Sequence, residues 1–265
     1  MVNYTPSAEN DFSRIKELIL DSIPFTYIRF SDGEMEILRN RYLQISPGKT
    51  VFKGRIFNNI FPVYDSKTFD PMRHRSLRRD LLASAMLRKN NFFKGVPTSH
   101  NDLVADREFM VRLNGGMSAF MTFSDLFMNS NYESFLEEIV PLFTNFRNLF
   151  VIANNRAVML DVISHASHIE VGDNFFENYE ETLSNVMDKL IGCPSGSIIL
   201  SSASSLSNIV GFKISMCRDD VTFIDVGTSI NHLLGLKSTS RAYHNTGFNI
   251  SGIKNRLSSS FKIRW

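Results

Sequence analysis

A regular alternation of short apolar segments and longer amphipathic segments occupies residues 149–224. The predicted strands are 149–153, 168–171, 197–200 and 221–224, and the predicted helices are 156–165, 179–190 and 204–217. Residues 149–153 form a continuous apolar run, and the other strands are short segments rich in β-branched and apolar residues. Strands that are apolar on both faces and alternate with helices predict a mostly parallel sheet with right-handed crossovers. The sequence therefore predicts an α/β fold.

The N-terminal half shows the same alternation less regularly. Predicted helices cover 9–22, 71–89, 102–113 and 131–142, predicted strands lie around Tyr27 and at 91–97, and residues 117–123 form another apolar piece. Residues 44–71 mix short apolar runs with Gly and Pro and predict loops with short extended pieces. No internal repeat or Pro/Gly/Ser-rich linker divides the chain. We expect one domain over residues 1–265, with a Rossmann-like sheet flanked by helices and a basic extension at about 240–265.

Composition narrows the class of protein. The chain has 265 residues and a formal net charge of +2, which excludes a molecule that is strongly basic as a whole. Two cysteines provide no disulfide framework and no metal-ligand spacing, which is typical of a reducing compartment. No apolar run is long enough to span a membrane, and the N-terminus lacks the features of a signal peptide. We expect a cytoplasmic protein without a membrane span.

Two carboxylates, Asp32 and Glu34, follow the predicted strand around Tyr27. Residues 28–34 read Ile-Arg-Phe-Ser-Asp-Gly-Glu, so both acids lie at the carboxyl end of a strand, where open α/β sheets bind ligands. Two oxygen ligands suit Mg²⁺ or Mn²⁺ carrying a substrate diphosphate. The alternative is a turn in which Asp32 caps the following helix and Glu34 lies in its first turn, an arrangement that needs no metal.

Polar residues also follow each strand of the C-terminal half. They include Asn154, Asp173, the serines 201–205 and Asp225. Small side chains such as Ser202 and Ser204 allow a phosphate or ribose to approach backbone N–H groups at a helix start. Ordinary helix capping explains the serines equally well. The chain has neither a Walker loop nor a Gly-x-Gly-x-x-Gly sequence after a strand.

Together these segments resemble the GT-D-type glycosyltransferases, a bacterial family with an Arg-Phe-Gly-Asp-Gly-Glu-like sequence near the N-terminus. Ser31 stands here in place of the usual glycine of that sequence. Residues 93–97, 172–179, 199–204 and 223–227 resemble later segments of the family in the same order, so the resemblance covers most of residues 10–235. Two departures are the serines 201–205, in place of a glycine-containing turn, and the residues after Gly227.

The resemblance implies transfer of a sugar from a nucleotide donor, usually a UDP-sugar, with a divalent cation, Mn²⁺ or Mg²⁺, at Asp32 and Glu34. Arg29 is then expected to pair with the donor diphosphate or to orient the carboxylates. Asn154, Ser202 and Ser204 are the further expected donor contacts. An inverting transfer also needs a base for the acceptor hydroxyl, and the candidates are Asp225 and then Asp173, because both follow strands at the expected ligand edge. For both, a cap or turn role is the alternative.

The sequence does not identify the acceptor, and three interpretations of the function stay open: two acceptors and a non-catalytic alternative. Family members commonly extend glycans, so a glycan acceptor is the default. A second acceptor is DNA with hydroxymethylated bases, gripped by basic residues. These residues are Arg73, Arg75, Arg78, Arg79, Lys254 and Arg256. The third interpretation is a nucleotide-binding module that keeps the fold without turnover.

Overall fold

The structure is a computed structural model that describes residues 6–46, 48–57, 66–98 and 104–236. The predicted basic extension, with Lys254 and Arg256, lies outside the described residues. The strands are β1 (Thr26–Arg29), β2 (Leu43–Ser46), β3 (Lys49–Phe52), β4 (Arg55–Phe57), β5 (Lys67–Phe69), β6 (Phe92–Val96), β7 (Met121–Phe123), β8 (Leu149–Asn154), β9 (Ser167–Val171), β10 (Ile198–Ser201) and β11 (Thr222–Asp225).

The α-helices are α1 (Ala8–Leu20), α2 (Asp32–Leu38), α3 (Arg75–Met86), α4 (Val104–Leu113), α5 (Tyr132–Ser134), α6 (Tyr179–Ile191) and α7 (Ser205–Cys217). A π-helical segment, Phe135–Ile139, and a 3₁₀ segment, Val140–Asn145, continue α5. Further 3₁₀ turns are Asn129–Asn131, Asp161–Ile163 and Gly227–Ile230. The segment predicted as a helix at 131–142 is therefore helical, but its winding is irregular. Pro141, which has no N–H to donate, lies at the start of the 3₁₀ segment.

Within the described residues, seven strands form one sheet in the order β7-β6-β1-β11-β10-β8-β9. Every recorded pairing in this sheet is parallel. The first strand, β1, pairs with β6 on one side and with the last strand, β11, on the other. The register places Ser201 beside Asp225, so the carboxyl ends of β1, β10 and β11 meet at one edge. The predicted α/β class with a parallel, helix-flanked sheet is confirmed.

Apolar side chains cover both faces of the sheet. One face packs against α2, α3, α4, α6 and α7 through residues such as Met35, Leu81 and Ile209. The other packs against α1 and the segment 126–143 through residues such as Phe12, Phe127 and Phe143. Burial on both faces explains why β8, β10 and β11 are largely apolar, whereas β9, at the edge of the sheet, has exposed polar residues.

A second, antiparallel sheet, in the order β4-β3-β2-β5, forms between α2 and α3 within the described residues. The short extended pieces predicted in this region are confirmed, but the sequence did not predict that they pair into a sheet. Exposed and half-buried residues dominate these strands, so the segment lacks the apolar run of a core strand. This small sheet contributes β5 to the site described below.

The prediction of a helix at 156–165 is wrong. The backbone N–H groups of Val158 and Leu160 donate to the carbonyl oxygens of Leu234 and Leu233, at 2.9 Å each. Hydrogen bonds to a distant segment hold this part of the chain extended, and one 3₁₀ turn, Asp161–Ile163, replaces the helix. The buried residues Ala157 and Ile163 join the same apolar core as Leu233 and Leu234 without forming a helical face.

None of the helices in the described part of the chain combines the length and apolar character needed to cross a bilayer. Cys193 is buried and Cys217 is exposed, and both are free thiols.

Candidate active site

Four predicted site residues lie at the carboxyl edge where β1, β10 and β11 end. Arg29 is the last residue of β1, and Asp225 is the last residue of β11. Glu34 belongs to α2, which follows β1 directly, and Ser204 precedes α7, which follows β10. Parallel neighbours bring these chain ends together, as the sequence predicted. We call these four residues, together with Lys67 of β5, whose ammonium group contacts Ser204, the central cluster.

Arg29 and Asp225 are joined both through side chains and through the backbone. The Arg29 N–H donates to Oδ2 of Asp225 at 3.3 Å, and its Nε lies 3.5 Å from Oδ1. The Arg29 Nη1 donates to the carbonyl oxygen of Ser124 at 3.0 Å. The Asn208 amide in turn donates to the Arg29 carbonyl oxygen. The guanidinium of Arg29 is therefore held by the protein itself.

Gly227 makes room for this guanidinium. Its backbone has a φ of +52°, and a Cβ placed there would lie 2.3 Å from Nη2 of Arg29. Any other residue would adopt a backbone conformation that L-residues disfavour and would overlap the arginine. The Gly227 N–H also donates to Oδ1 of Asp225 at 3.0 Å. The turn after β11 thus fixes the arginine and the aspartate together.

Asp225 is buried, and its electrostatic surroundings are mixed. Burial raises the pKa of the Asp225 carboxyl to about 6, an effect that Arg29 opposes and the negative charge of Glu34 reinforces. A carboxylate whose conjugate acid has a pKa near neutrality has the proton affinity that a general base needs. Its oxygens nevertheless accept hydrogen bonds from Arg29 and Gly227, which is the work of a positioning group. The base role stays a prediction.

Glu34 accepts two hydrogen bonds from Ser31. Its Oε2 accepts from the Ser31 N–H at 3.1 Å and from the Ser31 hydroxyl at 2.8 Å. Ser31 is the N-cap of α2, and Glu34 is the third residue of the helix, which is the reciprocal capping arrangement. The start of α2 is therefore capped, as the alternative interpretation predicted, but the capping residue is Ser31 and not Asp32. Asp32 is the first residue of α2 and is exposed.

The second oxygen of Glu34 faces Ser204 and, beyond it, Lys67. The Ser204 hydroxyl donates to Oε1 of Glu34 at 3.4 Å, and the Lys67 ammonium donates to the Ser204 oxygen at 2.8 Å. Ser204 therefore uses its side chain to link an acid to a base and makes no side-chain cap for α7. The capping alternative for this serine is not what the structure shows.

Ser204 also has unusual backbone geometry. Its φ of +53° and ψ of −143° lie in a region that glycine adopts easily and serine rarely does. Next to it, the Ser202 N–H donates to the Ile152 carbonyl oxygen at 2.8 Å, which fixes the loop to β8.

Asn154, Arg156 and Asp173 form a separate group at the ends of β8 and β9, which we call the lateral cluster. The Asn154 amide donates to Oδ1 of Asp173, and Arg156 donates to both oxygens of that carboxylate. Partial burial acts to raise the pKa of Asp173, but the hydrogen bonds from Arg156 and Asn154 outweigh it, so the pKa lies below its ordinary value. A carboxylate held in this way is a weak base, and its catalytic role stays a prediction.

The strand β5 lies over the edge between the two clusters. Lys67 reaches the Ser204 loop, and the next residue, Thr68, donates its N–H to Oδ1 of Asn174 at 3.1 Å. Asn174 directly follows Asp173 in the chain. Sequence reasoning missed Lys67 because it lies in the region that was predicted as loops. A lysine in a short extended piece carries no pattern that distinguishes it from a surface residue.

Asp32 and Glu34 carry carboxylate oxygens, the ligand type that a hard divalent cation prefers. Asp32 carries an exposed carboxylate, and the contact of Glu34 Oε1 to Ser204 is long. Among the described residues, no group of three or more His, Cys, Asp or Glu side chains is placed to hold a metal ion. A cation here would need oxygens from a bound diphosphate and from water, as Mg²⁺ sites often do.

The arginines predicted to grip DNA are mostly engaged within the protein. Arg73 pairs with Glu177, and Arg79 pairs with Asp80. Arg78 donates to the carbonyl oxygens of Ile37 and Leu38, so it caps the end of α2. Arg75 is exposed.

Comparison with solved structures finds proteins with this arrangement of strands and helices. The structure described as "A New Glycosyltransferase (DUF1792) from Streptococcus sanguinis" aligns with 92% of this chain and 95% of its own, with a TM-score of 0.53 and 13% identity. The two proteins share a fold. The resemblance to the GT-D-type glycosyltransferases is thus confirmed at the level of the fold.

Two further structures align with 92% of this chain and 94% of their own at 16% identity. One is described as the highly conserved domain of unknown function 1792 with a distinct glycosyltransferase fold, at a TM-score of 0.47. The other is a selenomethionine-substituted structure of that domain, at a TM-score of 0.48. The sequence matches no protein-family model and no curated protein.

Proposed function

We propose that this protein is a glycosyltransferase that moves a sugar from a nucleotide-sugar donor to an acceptor hydroxyl. The observation that carries the proposal is the central cluster, which joins acids and bases at the carboxyl edge of the sheet where α/β folds bind nucleotides. The fold is that of a protein described as a glycosyltransferase, which supports the same assignment by analogy. A UDP-sugar is the donor that the family resemblance implies.

In this proposal Asp32 and Glu34 would hold Mg²⁺ or Mn²⁺, and the donor diphosphate would supply further oxygen ligands. The cation would supply charge neutralisation for the leaving nucleoside diphosphate. Ser31 orients Glu34 through two hydrogen bonds, so that Oε1 faces the loop that begins α7. Arg29 and Asp225 hold the ends of β1 and β11 together. Such preorganisation lowers the cost of charge development in the transition state.

The donor is identified by a screen of nucleotide sugars for thermal stabilisation with Mn²⁺ or Mg²⁺. A ligand that binds the folded form raises its melting temperature. We expect one nucleotide to stabilise the protein with the cation present and much less with a chelator. If a nucleotide sugar stabilises the protein but is not consumed with any acceptor tested, the result would instead support a non-catalytic binding module.

A glycan is the acceptor that the family resemblance favours. The DNA alternative gains no support from Arg73, Arg78 and Arg79, because these arginines bind acids or carbonyl oxygens of the protein. Labelled-sugar transfer to oligosaccharides and to hydroxymethylated DNA, measured side by side, separates the two acceptors.

A further inference from the structure

The small antiparallel sheet brings a lysine to the central cluster, and we propose that Lys67 is the residue that binds the donor diphosphate. The inference rests on the proposed function and names a residue for it. It assigns to Lys67 the contact that the sequence led us to expect of Arg29. The small sheet is then one wall of the donor site.

The first argument is that Arg29 is already engaged. Its side chain is 13% exposed, its Nε faces Asp225, and its Nη1 donates to Ser124 and contacts the sulfur of Met128. Its Nη2 lies against Gly227. Binding a diphosphate through this guanidinium would require breaking contacts that hold β1 to β11. The contacts of Arg29 therefore position the ends of the two strands.

The second argument is the electrostatic surroundings of Lys67. Its Nζ donates to the Ser204 hydroxyl, and among the described residues no Asp or Glu oxygen lies within 4.0 Å of it. The side chain is half-buried, so its charge is partly shielded from water, and no ion pair with another described residue offsets this. An ammonium group in such a place gains most from an anion that arrives with the ligand. Lysine is a common point-charge ligand for phosphate.

The third argument is where the lysine is held. Ser204 has a strained backbone, and its hydroxyl lies between Lys67 and Glu34. A diphosphate bound by this ammonium group would lie near the N-cap of α7, a helix of 13 residues. Strained conformations at such places persist when the surrounding structure enforces them for a function. The Ser205 hydroxyl, also at the start of α7, is buried without a hydrogen-bond partner among the described residues.

The test compares Lys67→Gln, which removes the charge, with Lys67→Arg, which keeps it. Lys49→Gln is the matched control, because Lys49 is an exposed lysine on β3 of the same small sheet. Isothermal titration with a panel of nucleoside diphosphates, and with the corresponding nucleosides, measures each affinity in the presence of Mn²⁺. Circular dichroism and the melting temperature without ligand show whether each variant folds, and Lys67→Met serves as a second neutral variant.

We expect Lys67→Gln to weaken nucleoside diphosphate binding by about tenfold or more and to leave nucleoside binding unchanged. Lys67→Arg should retain most of the affinity, and Lys49→Gln should match the wild type. If the wild type binds a nucleoside diphosphate and folded Lys67→Gln and Lys67→Met bind it equally well, the inference fails while the proposed function stands. If the wild type binds no nucleoside diphosphate, both fail.

Discussion

The backbone of Gly211 in α7 lies directly against the side chain of Ile28 in β1. A Cβ at this position would be 2.6 Å from Cγ2 of Ile28 and 2.8 Å from the Phe223 ring. Only a glycine lets the helix approach the central strands so closely. The helix whose start forms part of the candidate site is thereby fixed to the two strands that carry Arg29 and Asp225.

Gly211→Ala should destabilise the protein by roughly 1–3 kcal/mol, because the added methyl group overpacks the interface between α7 and the sheet. Urea unfolding measures the change in the free energy of unfolding. Gly192→Ala is the control, since Gly192 has a negative φ and nothing lies within 4 Å of a Cβ built there. Its effect should stay within about 0.5 kcal/mol. Equal stability of the two variants would show that the helix can shift without cost.

Gly227→Ala should displace the Arg29 guanidinium and lower donor turnover by roughly 10- to 100-fold, since small misplacements at a site cost that much. The control is Gly235→Ala, where φ is +63° but the nearest atom to a new Cβ is 3.6 Å away. Both variants carry similar backbone strain, and only the first overlaps the arginine. Initial rates at saturating donor are the measurement. The account of Gly227 is wrong if both variants lose the same activity.

Lys94 gives the protein a stability that depends on pH. Its ammonium group is buried and donates to the carbonyl oxygens of Ala85 and Leu87 and to the Asn114 side chain. Burial, with a smaller contribution from the charge of Arg88, lowers the pKa of Lys94 from 10.5 to about 7. Between these pH values the folded protein binds fewer protons than the unfolded chain. Stability contributed by this residue therefore rises with pH from about 7 to 10.5.

The unfolding free energy of the wild type minus that of Lys94→Met should accordingly increase by up to about 1.4 kcal/mol for each unit of rising pH in that range. Denaturant unfolding at a series of pH values measures it. Lys49→Met, at an exposed position, should show a difference from wild type that is independent of pH. A constant difference for Lys94→Met would mean that its ammonium group stays charged throughout.

The sequence predicted the fold well where burial is two-sided. Continuous apolar runs identified β8, β10 and β11, and the helices α6 and α7 between them, within one or two residues. It failed at 156–165, where hydrogen bonds to residues 233–234 override a helical spacing. It also missed the small sheet, whose short and half-exposed strands carry little apolar pattern. Two of its pairings, β2 with β3 and β3 with β4, are hairpins whose short turns contain Gly48 and Gly54 at positive φ, a local signal that could have indicated them. Only the pairing of β2 with β5 joins segments that are distant in the chain.

At the site, the sequence identified positions but not contacts. Parallel topology made it possible to expect Arg29, Asp225 and Ser204 at one edge, and the structure places them there. That Ser31 caps α2, and that Ser204 connects Glu34 to Lys67, depends on side-chain rotamers and on a segment distant in the chain. Neither follows from residue type and spacing.

The most direct test of the central claim is release of nucleoside diphosphate from a nucleotide sugar, measured with Mn²⁺ or Mg²⁺ in the wild type, Asp32→Asn and Glu34→Gln. Asp32 is exposed, so Asp32→Asn should keep the melting temperature of the wild type. The account predicts cation-dependent release in the wild type and a loss of roughly 100-fold or more in Asp32→Asn. Undiminished release in Asp32→Asn, or in the wild type with a chelator, would contradict it.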